Sequence, residues 1–222
     1  MIGPIGDNYS IEKEDEDLEA IIKKTGSNYV FGTAEGALFA LHAAISNSDI
    51  HKVVAYEPLI FFGQPGIEEF KTTIQHYDEH MVEGDVAAAM ESLTKDSKKY
   101  MVINIAPDFI LVSIFKLALK LDAWKVKGDD VSLQELLPIL HDELEIVQKT
   151  EGTLDNYKNA SAEVLLLGGS KKEPMLKETL HALDKIVHHS HLVELEGLDH
   201  GSAQDYGNPE PIAQEIKIFL EK

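Results

Sequence analysis

Apolar positions along the chain follow two rhythms. Ile11, Leu18, Ile21 and Ile22 recur at helical spacing. Ser10 is placed to cap that helix, and Glu12, Glu14, Asp15 and Glu16 crowd its first turns, where the helix dipole favours negative charge. Gly26 ends it. Asn28-Tyr29-Val30-Phe31 then reads as a short buried strand, followed at once by Gly32-Thr33-Ala34-Glu35-Gly36. The stretch from Ala37 to Ile45 is apolar nearly all round, which predicts a buried helix. Asn47, Ser48 and Asp49 break it. Lys52-Val53-Val54-Ala55-Tyr56 predicts a second buried strand, closed by Glu57-Pro58. Strand, helix and strand in so short a span predict a parallel βαβ unit.

From Gly63 to Thr153 the spacing is helical throughout. Ile67, Phe70, Ile74 and Tyr77 form one stripe and Val86 to Leu93 a second. Phe109 to Leu121 is very apolar, and Leu133 to Val147 is amphipathic. Gly84, Pro107 and Gly128 punctuate these segments. No self-similar period appears, so this is a helical insertion and not a repeat array. The αβ rhythm then resumes. Ala162 to Leu167 predicts a third strand ended by Gly168-Gly169, and Pro174 opens a helix with Leu176, Leu180, Leu183 and Ile186 on one face. His191 to Leu195 predicts a fourth strand, and Pro209 and Pro211 begin a last helix. The expected organisation is therefore 1–62, first part of an α/β core; 63–153, helical insertion; and 154–222, second part of the core.

Charge narrows the range of partners. The 222 residues carry 20 Lys+Arg against 39 Asp+Glu, a formal net charge of −19, and every basic residue is lysine. Nucleic acid and anionic membranes both call for a positive footprint, so neither is expected as a partner. Without arginine, any anion site must use lysine or backbone N–H groups. Without cysteine, disulfides, thiolate nucleophiles and cysteine-ligated zinc are excluded. No apolar run approaches a membrane span, and MIGPIGDNYS lacks a basic start followed by an apolar stretch, so a cytoplasmic protein is expected.

The first strand, the Gly32-Thr33-Ala34-Glu35-Gly36 turn and the helix after it have the layout of a nucleophile elbow, with glycines where a sharp turn leaves no room for side chains. Ala34 holds the middle position. The stretch from Tyr29 to Pro58, and that from Val164 to Leu220 with its Gly197-Leu198-Asp199-His200 loop, resemble the α/β-hydrolase superfamily; the helical middle resembles its cap. The resemblance implies a reduced α/β-hydrolase fold: a mostly parallel sheet, helices on both faces, and a cap inserted after the second strand. It also implies a nucleophile at position 34, His200 as general base, and Glu57 or Glu173 as the carboxylate that orients it. Asp199 is adjacent to His200 and is expected to point elsewhere.

Two departures from the family follow. Ala34 has no nucleophilic atom, and at a sharp elbow the side chain of Thr33 diverges from that position. The expectation is a catalytically degenerate relative acting as a binding or oligomeric module. The alternative is a carboxylic-ester hydrolase working by acyl transfer, its nucleophile lost by mutation or its site completed by a partner chain. The second departure is at the start. Relatives place several strands ahead of the elbow, including the loop that donates one oxyanion N–H. Here residues 1–27 spell a helix, and Gly6 to Ser10 resembles the loop before it. One missing oxyanion donor costs roughly 2.7–4 kcal/mol. The Tyr29–Phe31 strand becomes a bare sheet edge, so a homodimer or a partner chain covering it is expected.

Other candidates carry less. His188, His189 and His191 would bind a metal only by converging with a carboxylate such as Glu194. Their place at a helix C-terminus suits histidine without one, so no metal and no cofactor are expected. His42 reads as a hydrogen-bonded core histidine. Gly168-Gly169-Ser170-Lys171-Lys172 has a glycine turn and lysines before a helix, as a phosphate site does, but lacks the Walker spacing. Phe109 to Leu121 suits a core or dimer helix, or the lining of a pocket for a small apolar ligand.

Overall fold

The computed structural model describes residues 9–95, 107–128, 130–205 and 207–222; Gly6 to Asn8 of the expected leading loop lie outside that range. Among the described residues four strands, β1 (Tyr29–Thr33), β2 (Lys52–Tyr56), β3 (Glu163–Gly169) and β4 (Ser190–Leu195), pair in the order β1-β2-β3-β4, every pair parallel. Helix α1 (Ile11–Thr25) precedes β1, α2 (Ala34–Ser46) joins β1 to β2, and α7 (Pro174–Ile186) joins β3 to β4. Helix α8 (Glu210–Leu220) closes the chain. Between β2 and β3 run α3 (Ile67–Val82), α4 (Val86–Lys95), α5 (Asp108–Lys125) and α6 (Leu133–Lys149).

Alternation along the strands builds two apolar layers. Val54, Tyr56, Leu165 and Leu167 share one face and pack with Leu198, Ile212 and Phe219, so α8 covers that side. Val53, Ala55, Val164 and Leu166 point the other way, are fully buried, and lie on the side of α2 and α7. Helices on both faces explain why the strands read as continuous apolar runs. Each fully buried large side chain contributes roughly 1.5–3 kcal/mol. Lys52, a charge at the start of a central strand, is satisfied locally: its Nζ donates to Phe219 O at 2.9 Å and sits 5.0 Å from the Phe219 ring centre.

By packing, the described residues fall into two units. Residues 9–65 and 146–222 form the sheet unit, and residues 66–145 form a helical unit. Within the helical unit α3 packs on α4 and α4 on α5. The Tyr77 hydroxyl donates to Leu137 O, Lys116 pairs with Asp85 at 3.0 Å, and the Leu133 N–H donates to Asp122 Oδ2 at 2.7 Å. Helix α5 is longer than its apolar core suggests and is only half covered: Leu111 and Leu119 are buried, while a parallel row of large apolar residues is exposed.

The elbow differs from the expected strand, loop and helix. β1 runs through Gly32 to Thr33, and α2 begins at the next residue. One residue makes the reversal, because Ala34 adopts φ 49°. Among the described residues β1 is an edge strand, and Tyr29 and Phe31 are 45% and 48% exposed on it.

Candidate functional site

Position 34 sits in the left-handed region, which costs a residue with a Cβ about 1–2 kcal/mol. Gly32 makes the turn feasible. A Cβ there would lie 2.2 Å from the carbonyl oxygen of Gly36, so strand and helix approach too closely for any side chain. Gly36 itself is different: a Cβ at Gly36 would meet nothing within 4 Å. Sequence spacing makes the two glycines equivalent; the close approach assigns the steric demand to Gly32 alone. The Ala34 carbonyl accepts from Leu59 N–H at 3.2 Å, which ties the elbow to the chain leaving β2.

Glu57 follows β2 and is also left-handed, at φ 47°. Its side chain is fully buried, yet both carboxylate oxygens are occupied. Oε1 accepts the Gly169 N–H at the end of β3, and Oε2 accepts from His200 Nδ1, each at 2.8 Å. The His200 turn is clamped from below. Tyr56 donates its hydroxyl to Asp199 O at 2.7 Å, and Asp199 and Ser202 bond reciprocally in a capping box. Gly169 admits this loop closely, since a Cβ there would lie 2.1 Å from Leu198 O. Ala34, Glu57, Gly169 and His200 thus come from the carboxyl ends of all four strands, the edge where open parallel sheets carry their sites.

Electrostatics follow from that packing. Burial by itself pulls His200 down, but the hydrogen bond and charge of Glu57, reinforced by Glu35 and Asp199, hold it above its usual value. With Nδ1 bound to Glu57, Nε2 is left to accept or donate, and 47% of the imidazole side chain is exposed. Burial pushes the Glu35 carboxyl up, against the pull of its own backbone N–H and of His200. The elbow and the histidine loop are therefore electrostatic neighbours. Burial, with the charges of Glu57 and Asp199, keeps the Tyr56 hydroxyl protonated as a donor.

The other expected residues are placed as follows. Glu173 occupies the N-cap position of α7 without a side-chain capping bond, and it is Glu57 that meets His200. Asp199 points into its own turn. His42 Nδ1 bonds Asp15 Oδ2 at 2.9 Å on α1. His188, His189 and His191 are exposed, and His191 lies edge-on to Phe219 with ring centres 6.4 Å apart. Among the described residues the metal-type side chains that converge are instead His141, Asp142 and Glu145. Lys172 is held inward on Gly169 O at 2.8 Å and on Glu194, and Leu180 Cδ1 lies 2.5 Å from where a Gly168 Cβ would be. Gly168 and Gly169 are therefore packed against α7 and the His200 loop, and Lys172 is already engaged. Sequence reasoning missed that the Glu35 carboxyl lies within electrostatic reach of His200, and its adjacency to Ala34 is the available signal. It also missed the Gly169 N–H, which only strand register reveals.

No protein-family model and no curated protein matches the sequence. Solved structures do match it. An alpha/beta hydrolase from Sphaerobacter thermophilus superposes with a TM-score of 0.68 at 20% identity, over 98% of this chain and 79% of that one. MGS-M2, an alpha/beta hydrolase enzyme from a Medee basin deep-sea metagenome library, gives 0.70 at 15% identity, over 98% and 74%. MenH from S. aureus gives 0.68 at 13% identity, over 100% and 79%. The chain has the α/β-hydrolase fold. In this chain the sharp turn at Ala34 lies at the β1–α2 junction, and His200 lies in the turn after β4. At these identities the likeness concerns the fold alone. No helix among the described residues is long and apolar enough to cross a membrane.

Proposed function

We propose that this chain is a non-hydrolytic protein of the α/β-hydrolase fold, cytoplasmic, that binds a small, mainly apolar ligand beside His200. The observation that carries the reading is Ala34 in the strained elbow conformation. The position a nucleophile needs is built, and a methyl group fills it. Acyl transfer needs an atom there to form the covalent intermediate. Glu35 supports the same reading. Its backbone N–H is the donor that an elbow offers to an oxyanion. Here that N–H is already engaged by Glu35's own carboxyl, so it is not free for an oxyanion. The Glu57–His200 pair then serves as a fixed hydrogen-bonding group for a ligand. The exposed β1 edge is covered by a second copy or a partner chain, as an apolar edge strand requires.

The intact Glu57–His200 bond favours one second reading, a carboxylic-ester hydrolase whose nucleophile was lost at position 34. One experiment separates the two. Purified chain, Ala34→Ser and His200→Ala are assayed on nitrophenyl esters and with a fluorophosphonate probe. The non-hydrolytic reading expects no labelling of any of the three and no ester cleavage above the His200→Ala background. Labelling and turnover gained by Ala34→Ser would establish the second reading. Turnover by the unaltered chain that His200→Ala abolishes would overturn the first.

A further inference from the structure

The exposed row on α5 has a regular pattern. Ile110, Ile114, Leu117, Leu121 and Trp124 are spaced four, three, four and three apart, and all are 41–83% exposed. That spacing makes a straight apolar stripe along one side of the helix, sustained over two heptads and roughly 21 Å. The opposite face of α5, with Leu111 and Leu119, is already buried within the helical unit. The helix is therefore apolar on two sides with one side covered. Phe109, a quarter-turn round the helix from the row, and Leu133, whose N–H is bonded to Asp122 of α5, add exposed apolar side chains near its two ends.

Size and charge identify the occupant. The row and these two side chains expose on the order of 700 Å² of apolar surface, above the ~300–600 Å² of the largest patch on ordinary monomers. A standard stable interface takes about 800 Å² from each partner, so the row matches one half of such an interface. Asp108 stands at the N-terminal end of α5, and Lys125 and Lys127 at its C-terminal end. Antiparallel pairing of two α5 helices about a two-fold axis at Leu117 sets Asp108 of one copy level with Lys125 and Lys127 of the other. Parallel pairing would oppose like ends. With a net charge of −19 the chain is unsuited to an anionic lipid surface.

We propose that α5 is a self-association surface, on which a second copy of this chain docks its own α5 antiparallel along the Ile110–Trp124 seam. The surface belongs to the helical unit, so the proposal is independent of the β1 edge and of the reading of the His200 site.

Light scattering after size exclusion tests it on the full chain carrying Phe31→Lys, which charges the β1 edge and removes pairing there. The expected mass is twice the 24.6 kDa of one chain at micromolar concentration. Leu117→Glu and Leu117→Lys, each at an exposed position in that background, are expected to halve the mass, because residue 117 meets its own copy. An equimolar mixture of the two should restore it. The chain has no cysteine, so orientation is read cleanly: mixed Ile114→Cys and Leu121→Cys chains should form the mixed disulfide. A monomer in the Phe31→Lys background would overturn the proposal, as would Leu117 variants of unchanged mass or disulfides only between like chains. Binding of a monomer to phosphatidylcholine vesicles, lost in Leu117→Lys, would overturn it in favour of a lipid surface.

Discussion

Replacing Ala34 with glycine should stabilise the protein, although the same change elsewhere in α2 should harm it. In the left-handed region Ala34 carries a steric cost of about 1–2 kcal/mol that glycine escapes. Against this, glycine loses more backbone freedom on folding, about 0.5–1 kcal/mol relative to alanine. The Ala34 methyl is only partly buried, so its removal subtracts little. The net expectation is a gain of roughly 0.5–1 kcal/mol, or about 2 °C in Tm for a chain of this size. Ala40→Gly is the control. Ala40 is buried in the helix interior, where glycine costs about 1 kcal/mol and the lost methyl burial about 0.8 kcal/mol more. The two variants should therefore move in opposite directions. Urea unfolding followed by far-UV circular dichroism is the suitable assay, because the one tryptophan, Trp124, lies in the helical unit and does not report on the elbow. An Ala34→Gly variant weakened by about 1 kcal/mol, like an ordinary helical alanine, would refute the strained elbow.

Gly32→Ala should prevent folding of the sheet unit or destabilise it by more than about 3 kcal/mol, since the added Cβ meets backbone that has no room to yield; Gly36→Ala should be neutral or stabilising by up to about 1 kcal/mol. Thermal melts of the pair check both. His200 should titrate above 6.5 by NMR of its ring protons, and Glu57→Gln should lower that value; a titration at or below 6.5 contradicts the Glu57 bond. The sign of the linked stability follows. Because the folded value is raised, the His200 contribution is fully present below the unfolded value and disappears as pH rises through the folded one. His200→Asn should flatten that segment of the pH–stability curve. Lys172→Met should cost about 1–2 kcal/mol in chemical unfolding, since its buried ammonium holds Gly169 O and Glu194 together; an unchanged midpoint would refute that role.

The four strands and their order of appearance are legible in the sequence because each is a short apolar run bounded by Gly, Pro or Asp, and because helix-period segments separate them. The elbow is legible too, through Gly32 followed by an apolar helix. What spacing does not give is the asymmetry between Gly32 and Gly36, which depends on how closely strand and helix approach. Nor does it choose between Glu57 and Glu173, which stand in comparable loops. Strand register settles which carboxyl reaches His200, by carrying the Gly169 N–H to one of them. The α5 segment was ambiguous for another reason. A run apolar on two faces does not say which face is covered, and only the burial of Leu111 and Leu119 against the exposure of the Ile110–Trp124 row separates them.

The elbow also bears on how such a chain changes over generations. Its geometry is set by the contact of Gly32 with the backbone at Gly36 and by the bond from Leu59 to the carbonyl of residue 34, none of which involves the side chain at that position. Alanine and serine codons differ by one base. Scaffold and side chain are thus inherited separately, and this chain stands a single point mutation from a sequence with a hydroxyl at the β1–α2 turn, with no step of refolding between them.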